Sequence, residues 1–303
     1  MSNLYRAVGK RRFDSLPYLL IFPTFLFVAV FTAWPTLLAF YQSFFQQRLN
    51  IVRFREPTFI GLENYTKLFA DDRFLQVLRN TFYYIVGTVP LSILLAFLFA
   101  LLVNRKIRGV GWARLGFFYP TILPLVSAAT IWMFFFTPDY GLLNTALRAI
   151  GYTGADNWLG NPNLALISIM IVNVWKNAGF YMIFYLAGLQ SLPTDVFEAA
   201  AIDGATGWQM LWRIAFPLLR RTTLFVTTIA FIGAFREVDH IFVLTQGGPS
   251  RASTVLLYHL WQVRFENQDV GQASAITMVL IVLLLFFTVT NFLLSERGGE
   301  ADV

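Results

Sequence analysis

The chain has 303 residues, of which 57% are hydrophobic and only 13% are charged, and its mean hydropathy is +0.60. Soluble domains carry about 25% charged residues, so a chain this apolar must face lipid over much of its surface. The net charge of +6 does not indicate nucleic-acid binding, because the basic residues are spread between apolar segments, and the lack of cysteine excludes disulfides and cysteine-ligated metals.

Six apolar segments are long enough to cross a bilayer, which takes about 20 residues of helix. The predicted spans are about 17–41, 80–104, 115–138, 164–189, 222–245 and 270–295. The fifth is unusual because it contains Arg236, Glu237, Asp239 and His240. The predicted fold is therefore an all-α integral membrane domain over 17–295.

The basic residues predict the orientation of the spans. The stretch from Arg6 to Arg12 resembles the start of a signal peptide, but the following apolar run is too long and lacks a convincing cleavage site, so we expect a retained helix. Arg105, Lys106 and Arg108 mark the loop after the second span as cytoplasmic, although the overall bias of Lys and Arg between loops is weak. Six spans then place both tails, 1–16 and 296–303, in the cytoplasm.

The inner loop 190–221 has the signals of two short helices. Pro193 suits a first helical turn, and Gly204 suits the residue just past a helix end. Thr206-Gly207-Trp208-Gln209 predicts a capping box that opens the second helix. Pro217 predicts a kink or boundary before the fifth span.

The same loop carries a spaced motif. Glu198-Ala199-Ala200-Ala201-Ile202-Asp203-Gly204 is followed by Ile214 and Pro217. This resembles the EAA loop of bacterial ABC importer permeases, with Phe216 in place of the usual leucine. The small alanines would let another protein approach closely, and the glycine permits a sharp corner.

Further stretches extend the resemblance over about residues 17–295. They are Phe59–Tyr65, Pro138–Asn144, Asn173–Lys176, Ala187–Ser191 and Leu244–Pro249. Together they resemble the carbohydrate-uptake branch of these permeases, the MalF-like and UgpA-like six-span sugar permeases of the bacterial inner membrane. The resemblance implies the type I ABC importer permease fold with a cytoplasmic EAA coupling loop.

The resemblance also implies partners. A second homologous permease chain would complete the pathway, two copies of an ABC ATPase would hold Mg-ATP, and an extracytoplasmic binding protein would deliver the sugar. This chain has no P-loop motif, so we expect no ATP hydrolysis, catalytic residue or cofactor on it. Two histidines in the whole chain cannot make a credible metal site, so we expect no metal either. The residues implied to couple to the ATPase are Glu198, Ala199, Ala200, Asp203, Gly204, Ile214 and Pro217.

A polar face on the fourth span predicts contact with the cargo. Asn173, Lys176, Asn177 and Phe180 recur at helical spacing, and polar groups within a span usually face a cavity or a partner helix. The resemblance places sugar contacts at these positions and at Ala230, Gly233 and Ala234 in the fifth span. Several positions differ chemically from the maltose relative, which argues against maltose.

Other interpretations stay open for these residues. Asn173 could simply join two helices, and Lys176 could pair with Glu237 or extend to the membrane edge. Arg236, Glu237 and Asp239 could form interhelical ion pairs or a gate.

Outside the fourth span, the outer loop 246–272 either contacts the binding protein or is a plain solvated turn. An ion-coupled secondary carrier would explain the buried charges, but such carriers usually have internal repeats, which are not visible here. An intramembrane enzyme would need a catalytic constellation, and none is convincing.

Overall fold

The computed structural model describes residues 16–105, 108–152, 154 and 157–299. Most of the predicted N-terminal tail and Lys106 of the basic cluster lie outside these residues. At the other end, the last helix continues to Gly299, into the segment predicted as the C-terminal tail.

Nearly all the regular structure in the described part of the chain is α-helical. A short antiparallel pair, β1 Phe45–Gln46 and β2 Thr58–Phe59, lies in the loop that joins the first two predicted spans, which the predicted orientation makes the first outer loop. The helices are α1 Leu16–Val28, α2 Trp34–Gln42, α3 Glu63–Ala70, α4 Asp72–Val103, α5 Val110–Ile122, α6 Leu125–Phe135, α7 Leu142–Ala149, α8 Pro162–Gln190, α9 Thr194–Ile202, α10 Gly207–Met210, α11 Phe216–Leu218, α12 Arg220–Arg236, α13 Asp239–Leu244, α14 Leu256–Trp261 and α15 Val270–Gly299.

Four stretches are continuous helices long and apolar enough to cross a membrane: Pro17–Gln42, Asp72–Val103, Pro162–Gln190 and Val270–Leu293. The first of these contains a π-helical turn at Ala29–Ala33, which joins α1 to α2. Two further spans arise only if each of two bent helix pairs is counted as one. The described residues therefore provide between four and six spans.

The third predicted span, 115–138, is not a single helix. α5 and α6 are bent by 102° at the break between them. Leu123 and Pro124 both have extended backbone there, because proline cannot donate the helical hydrogen bond and disfavours helical geometry in the residue before it. The stretch predicted as the third span therefore consists of two helices joined at this bend.

The fifth predicted span, 222–245, is also interrupted. α12 ends at Arg236, Glu237 has an extended ψ of 98°, and α13 begins at Asp239. A second bend of 66° separates the segment Gly207–Leu218 from Arg220–Leu244, next to Pro217, as the sequence predicted for that proline.

The core forms where α4 packs along α8, with α12 beside them. Tyr84, Ile169 and Tyr185 are completely buried there. A smaller cluster at the outer end joins α4, α14 and α15 through residues such as Phe74, Leu256 and Ile276. The first span is different, because its most apolar window has no buried residue at all. A helix this apolar must be covered by lipid or by another membrane chain.

An ion pair fastens the first outer loop to the start of α15. Nε of Arg48 lies 2.6 Å from Oδ2 of Asp269, whose side chain is almost fully buried. The other carboxylate oxygen of Asp269 accepts the backbone N–H of Gln272 and so caps α15. Asp269 therefore binds two partners, the partly exposed Arg48 guanidinium and the first turn of α15.

We predict that Asp269→Ala lowers the free energy of unfolding by about 2 kcal/mol or more, since it removes a helix cap and leaves Arg48 without its partner. Thermal unfolding of the purified, detergent-solubilised chain measures the loss. The control is Glu63→Ala, which breaks the exposed pair between Glu63 and Lys67 and should cost only a few tenths of a kcal/mol. Equal effects of the two substitutions would contradict the role given to Asp269.

Candidate functional site

The inner loop folds into a compact knob made of α9, α10 and the corner between them. At the end of α9, the N–H of Gly204 donates to the carbonyl of Ala201 and the N–H of Ala205 donates to that of Ala200. Gly204 has a φ of +79°, and this pair of bonds is a Schellman motif, which closes the helix at a left-handed residue. The glycine corner predicted from the sequence is therefore present.

The start of α10 confirms the predicted capping box. The Gln209 N–H donates to the Thr206 hydroxyl at 3.3 Å, and the Thr206 N–H donates to Oε1 of Gln209 at 2.8 Å. Pro193 lies just before α9, at its N-cap, rather than within the first turn. Two capped helix ends thus face each other across four residues, 203–206, and make the corner stiff.

We predict that Thr206→Ala speeds hydrogen exchange at the Gln209 amide about fivefold, because losing a threonine cap costs about 1 kcal/mol. Hydrogen-exchange mass spectrometry of the loop peptide measures the change. Thr206→Ser keeps the hydroxyl and should exchange like the original chain. If the Gln209 amide exchanged as fast in Thr206→Ser as in Thr206→Ala, the side-chain cap would not be what holds α10.

Five of the coupling residues predicted from the motif lie on this knob, and Ile214 and Pro217 follow it in the chain. Glu198, Ala199, Asp203, Gly204 and Pro217 are exposed. Ala200 and Ile214 are half-buried. Behind them a cleft of about 420 Å³ opens between Glu198 on α9, Leu211 and the inner end of α4.

Large apolar side chains also project from the knob, and the sequence analysis did not select them. Ile202 is 86% exposed and Trp208 is 69% exposed. Val196 is also exposed. Exposed apolar side chains of this size make the knob a candidate interaction surface. The available signal was the presence of large apolar residues, Val196, Ile202 and Trp208, in a short segment that is otherwise rich in alanine and glycine.

The polar face of α8 meets the break in the fifth span. Nδ2 of Asn173 donates to Oε2 of Glu237 at 2.9 Å, and Nδ2 of Asn177 donates to the same oxygen at 2.7 Å. One carboxylate oxygen therefore holds both amides, and it is supplied by Glu237, the residue that directly follows α12. The expectation that Asn173 could join two helices is met, with an acceptor that the sequence did not identify.

Lys176 has a different partner. Its Nζ donates to the backbone carbonyl of Thr121 at 3.1 Å, and the Thr121 hydroxyl donates to the carbonyl of Lys176 at 3.0 Å. Among the described residues no ion pair within 4.0 Å joins Lys176 to Glu237, so the suggested direct pair is not formed. The ammonium group instead fixes α8 to the end of α5.

The remaining pathway candidates line the same region. Phe180 packs edge-on against Phe184, with ring centroids 5.2 Å apart. Ala230 and Ala234 are buried, and Gly233 is half-buried with the Tyr181 hydroxyl facing it. These small side chains leave the apolar wall of α12 close to α8.

The other charged residues of the fifth span do not form the suggested ion pairs. Arg236 and Asp239 are exposed, and neither has an oppositely charged partner within 4.0 Å in the described part of the chain. His240 is fully buried, and its Nε2 lies 3.1 Å from the hydroxyl of Tyr84. This contact fixes α13 to α4 just beyond Glu237.

The outer loop 246–272 is a packed structure and not a plain solvated turn. Nδ2 of Asn80 on α4 donates to the carbonyls of Arg251 and Thr254. The Thr254 hydroxyl donates to the carbonyl of Gly247, and Ser253 is completely buried. The loop thus presents a fixed outer surface, although its contact with a binding protein stays a prediction.

Comparison with known proteins identifies the family of this chain. The model of the binding-protein-dependent transport system inner membrane component matches residues 68–296. The chain belongs to this family. It is therefore a multi-pass permease of an ABC importer, and an ion-coupled secondary carrier is not favoured.

Individual relatives align with this permease over nearly its whole length. The sn-glycerol-3-phosphate transport system permease protein UgpA of Agrobacterium fabrum is 32% identical over 93% of this chain and 95% of its own. The trehalose/maltose transport system permease protein MalF of Thermococcus litoralis is 34% identical over 95% and 96%. A chain of a bacterial ABC transporter that imports the acidic polysaccharide alginate has the same fold, with a TM-score of 0.79, 24% identity and coverage of 94% and 96%.

Proposed function

We propose that this permease forms half of the transmembrane pathway of an ATP-driven importer for a sugar or sugar derivative. A second homologous permease would supply the other half, and a binding protein outside the membrane would deliver the cargo. The names of the Agrobacterium and Thermococcus relatives, which refer to a glycerol phosphate and to disaccharides, support this cargo class. Both termini would lie in the cytoplasm of a bacterial cell.

The observation that carries the proposal is the capped knob around Glu198–Gly204. It is stiff because both helix ends at the corner are closed, and it projects exposed apolar side chains at Ile202 and Trp208. Two copies of an ABC ATPase would each hold one such knob, and they would bind Mg-ATP, since this chain has no nucleotide motif. A stiff knob transmits a displacement that a flexible loop would absorb.

ATP binding would then shift the permease pair between inward-open and outward-open states. A ligand shifts such an equilibrium only by its difference in affinity for the two states. The ATPase dimer supplies that difference at the inner surface, and the loaded binding protein supplies it at the outer surface. The breaks at Leu123–Pro124 and at Glu237 are the points where α5–α6 and α12–α13 can change their angle.

The test is uptake of candidate solutes by proteoliposomes that contain the complex purified with this chain. We expect uptake only when ATP is present on the side of the vesicle membrane that carries the ATPase subunits. We also expect uptake to require the binding protein. Uptake driven by an ion gradient without ATP would overturn the proposal. An excess of a peptide with the sequence of residues 190–221 should compete with the knob for the ATPase. Loss of ATP-dependent uptake in its presence would locate the coupling surface.

A further inference from the structure

Two cavities lie end to end between α4 and α8. The outer cavity has a volume of about 470 Å³, and polar side chains such as Arg79, Tyr83 and Asn163 line it. The inner cavity has a volume of about 610 Å³ and lies among apolar side chains of α4, α5, α6 and α8. Ile167 and Met170 line both cavities, so the two adjoin and form one α4–α8 groove.

The side of α4 that lines the α4–α8 groove changes from polar to apolar along the helix. Its residues recur every four positions, which places them on one face: Arg79, Tyr83, Gly87, Leu91, Leu95 and Phe99. From Gly87 to Phe99 the helix rises about 18 Å, at roughly 1.5 Å per residue. The hydrocarbon part of one bilayer leaflet is about 15 Å deep. The apolar part of the groove therefore has the length of one leaflet.

The α4–α8 groove lies on a different face of α8 from the predicted cargo residues. Ile171 and Trp175 line its inner cavity. At about 3.6 residues per turn, each lies roughly 120° or more around the helix from Asn173 and Asn177. Ile167, where the two cavities adjoin, is 46% exposed, so the groove is open on the surface of the described chain.

An open apolar cavity of this size within a membrane domain requires an occupant. Folded proteins leave few voids larger than a water molecule, and apolar cavities stay dry. Within a bilayer, the apolar material that can enter the groove is an acyl chain or a helix of another membrane protein.

The charge at the outer end of the groove favours a phospholipid. Among the described residues that line the two cavities, Arg79 is the only charged one, and it is exposed. No described carboxylate lies within 4.0 Å of its guanidinium group, and such groups bind phosphate oxygens through paired hydrogen bonds. The wall beside it is tied to the outer loop, because Nε2 of Gln76 donates to the Ser250 carbonyl at 3.3 Å. A cation beside an apolar cavity is complementary to an anionic amphiphile.

We propose that the α4–α8 groove is a binding site for an anionic phospholipid, whose phosphate contacts Arg79 and one of whose acyl chains fills the inner cavity. Pro120 of α5 and Trp132 of α6 line that cavity on either side of the 102° bend. The bound acyl chain would pack against both helices and stabilise the bend. In the predicted orientation Arg79 lies at the outer end of α4, so the lipid belongs to the outer leaflet.

Photocrosslinking in the complete complex tests this site. The complex purified with this chain is stripped of lipid in detergent and then given phosphatidylglycerol that carries a diazirine near the end of one acyl chain. Mass spectrometry locates the labelled peptides, and phosphatidylcholine with the same diazirine tests the role of the headgroup.

Two variants change the two ends of the groove. Arg79→Gln removes the cation. Gly116→Leu fills the inner cavity from α5, at a position where a Cβ meets no atom within 4 Å. The control is Arg73→Gln, which removes an exposed cation from the same helix at a position that lines neither cavity.

We expect phosphatidylglycerol to label the α4 and α8 peptides of the inner cavity in the original complex and in Arg73→Gln. Arg79→Gln should lower this labelling about fivefold, to the level reached with phosphatidylcholine, because the charge-assisted contact to phosphate is lost. Gly116→Leu should lower the labelling by either lipid at least fivefold. Phosphatidylglycerol should also raise the unfolding temperature of the original complex and of Arg73→Gln but not of Gly116→Leu, because a ligand stabilises only a state that binds it.

Two results would overturn the inference. Equal labelling in the original complex, Arg79→Gln and Gly116→Leu would mean that lipids only surround the chain. Benzoylphenylalanine placed at position 91 should cross-link to lipid, and a cross-link to the partner permease instead would assign the groove to a protein helix. Arg79→Gln changes only an exposed side chain, so it keeps the test valid if Gly116→Leu does not assemble.

Discussion

Replacing Gly204 by valine should reduce ATP-dependent uptake at least tenfold. The residue has a φ of +79°, a conformation that costs an L-residue roughly 1–2 kcal/mol and a β-branched residue more. Space is not the obstacle in the isolated chain, because a Cβ at this position would meet no atom within 4 Å. The substitution therefore acts by opening the Schellman motif, after which the knob no longer transmits the movement of the ATPase.

The matched control is Gly204→Asn, because asparagine tolerates the left-handed conformation better than any other residue with a side chain. Uptake should fall much less in Gly204→Asn than in Gly204→Val. Both variants should copurify with the same amount of ATPase. Equal activity of the two variants would contradict the role of the backbone conformation. Equal loss in both, with the complex intact, would mean that the ATPase presses directly on this position.

The sequence predicted the knob well because its structure is local. A capping box and a glycine C-cap depend on residues within one or two turns, so Thr206, Gln209 and Gly204 could be interpreted without knowing any other part of the fold. The exposed apolar side chains of the knob were missed. Whether the rest of the chain buries the side chains of Ile202 and Trp208 depends on tertiary packing. The hydrophobicity of a residue alone does not predict that packing.

The membrane site was less predictable. Helical spacing brought Asn173, Lys176 and Asn177 to one face, but it could not specify their partners. Glu237 accepts from both asparagines only because α12 ends there, and Lys176 turns to Thr121 only because α5 ends beside it. Pro124 was a visible signal for the break in the third segment, yet the uncharged run around it favoured one uninterrupted span.

Gly179→Ala should be the most damaging single-methyl change in the membrane domain. A Cβ at Gly179 on α8 would overlap the carbonyl oxygen of Phe117 and lie 3.1 Å from the Cα of Phe118. Both obstacles are backbone atoms of α5, so no side chain can rotate away. Overpacking of this kind typically costs 1–3 kcal/mol, and here it must displace a whole helix.

The displacement would reach the predicted cargo residues of α8, because Thr121 lies one turn further along α5 and holds Lys176. We therefore expect both a lower unfolding temperature of the detergent-solubilised chain and reduced solute-stimulated ATP hydrolysis. Gly116→Ala is the control: it adds the same methyl group to α5, where a Cβ meets nothing within 4 Å, and should leave both measurements unchanged. A Gly179 variant as stable and active as the Gly116 variant would show that α5 and α8 do not pack this closely in the membrane.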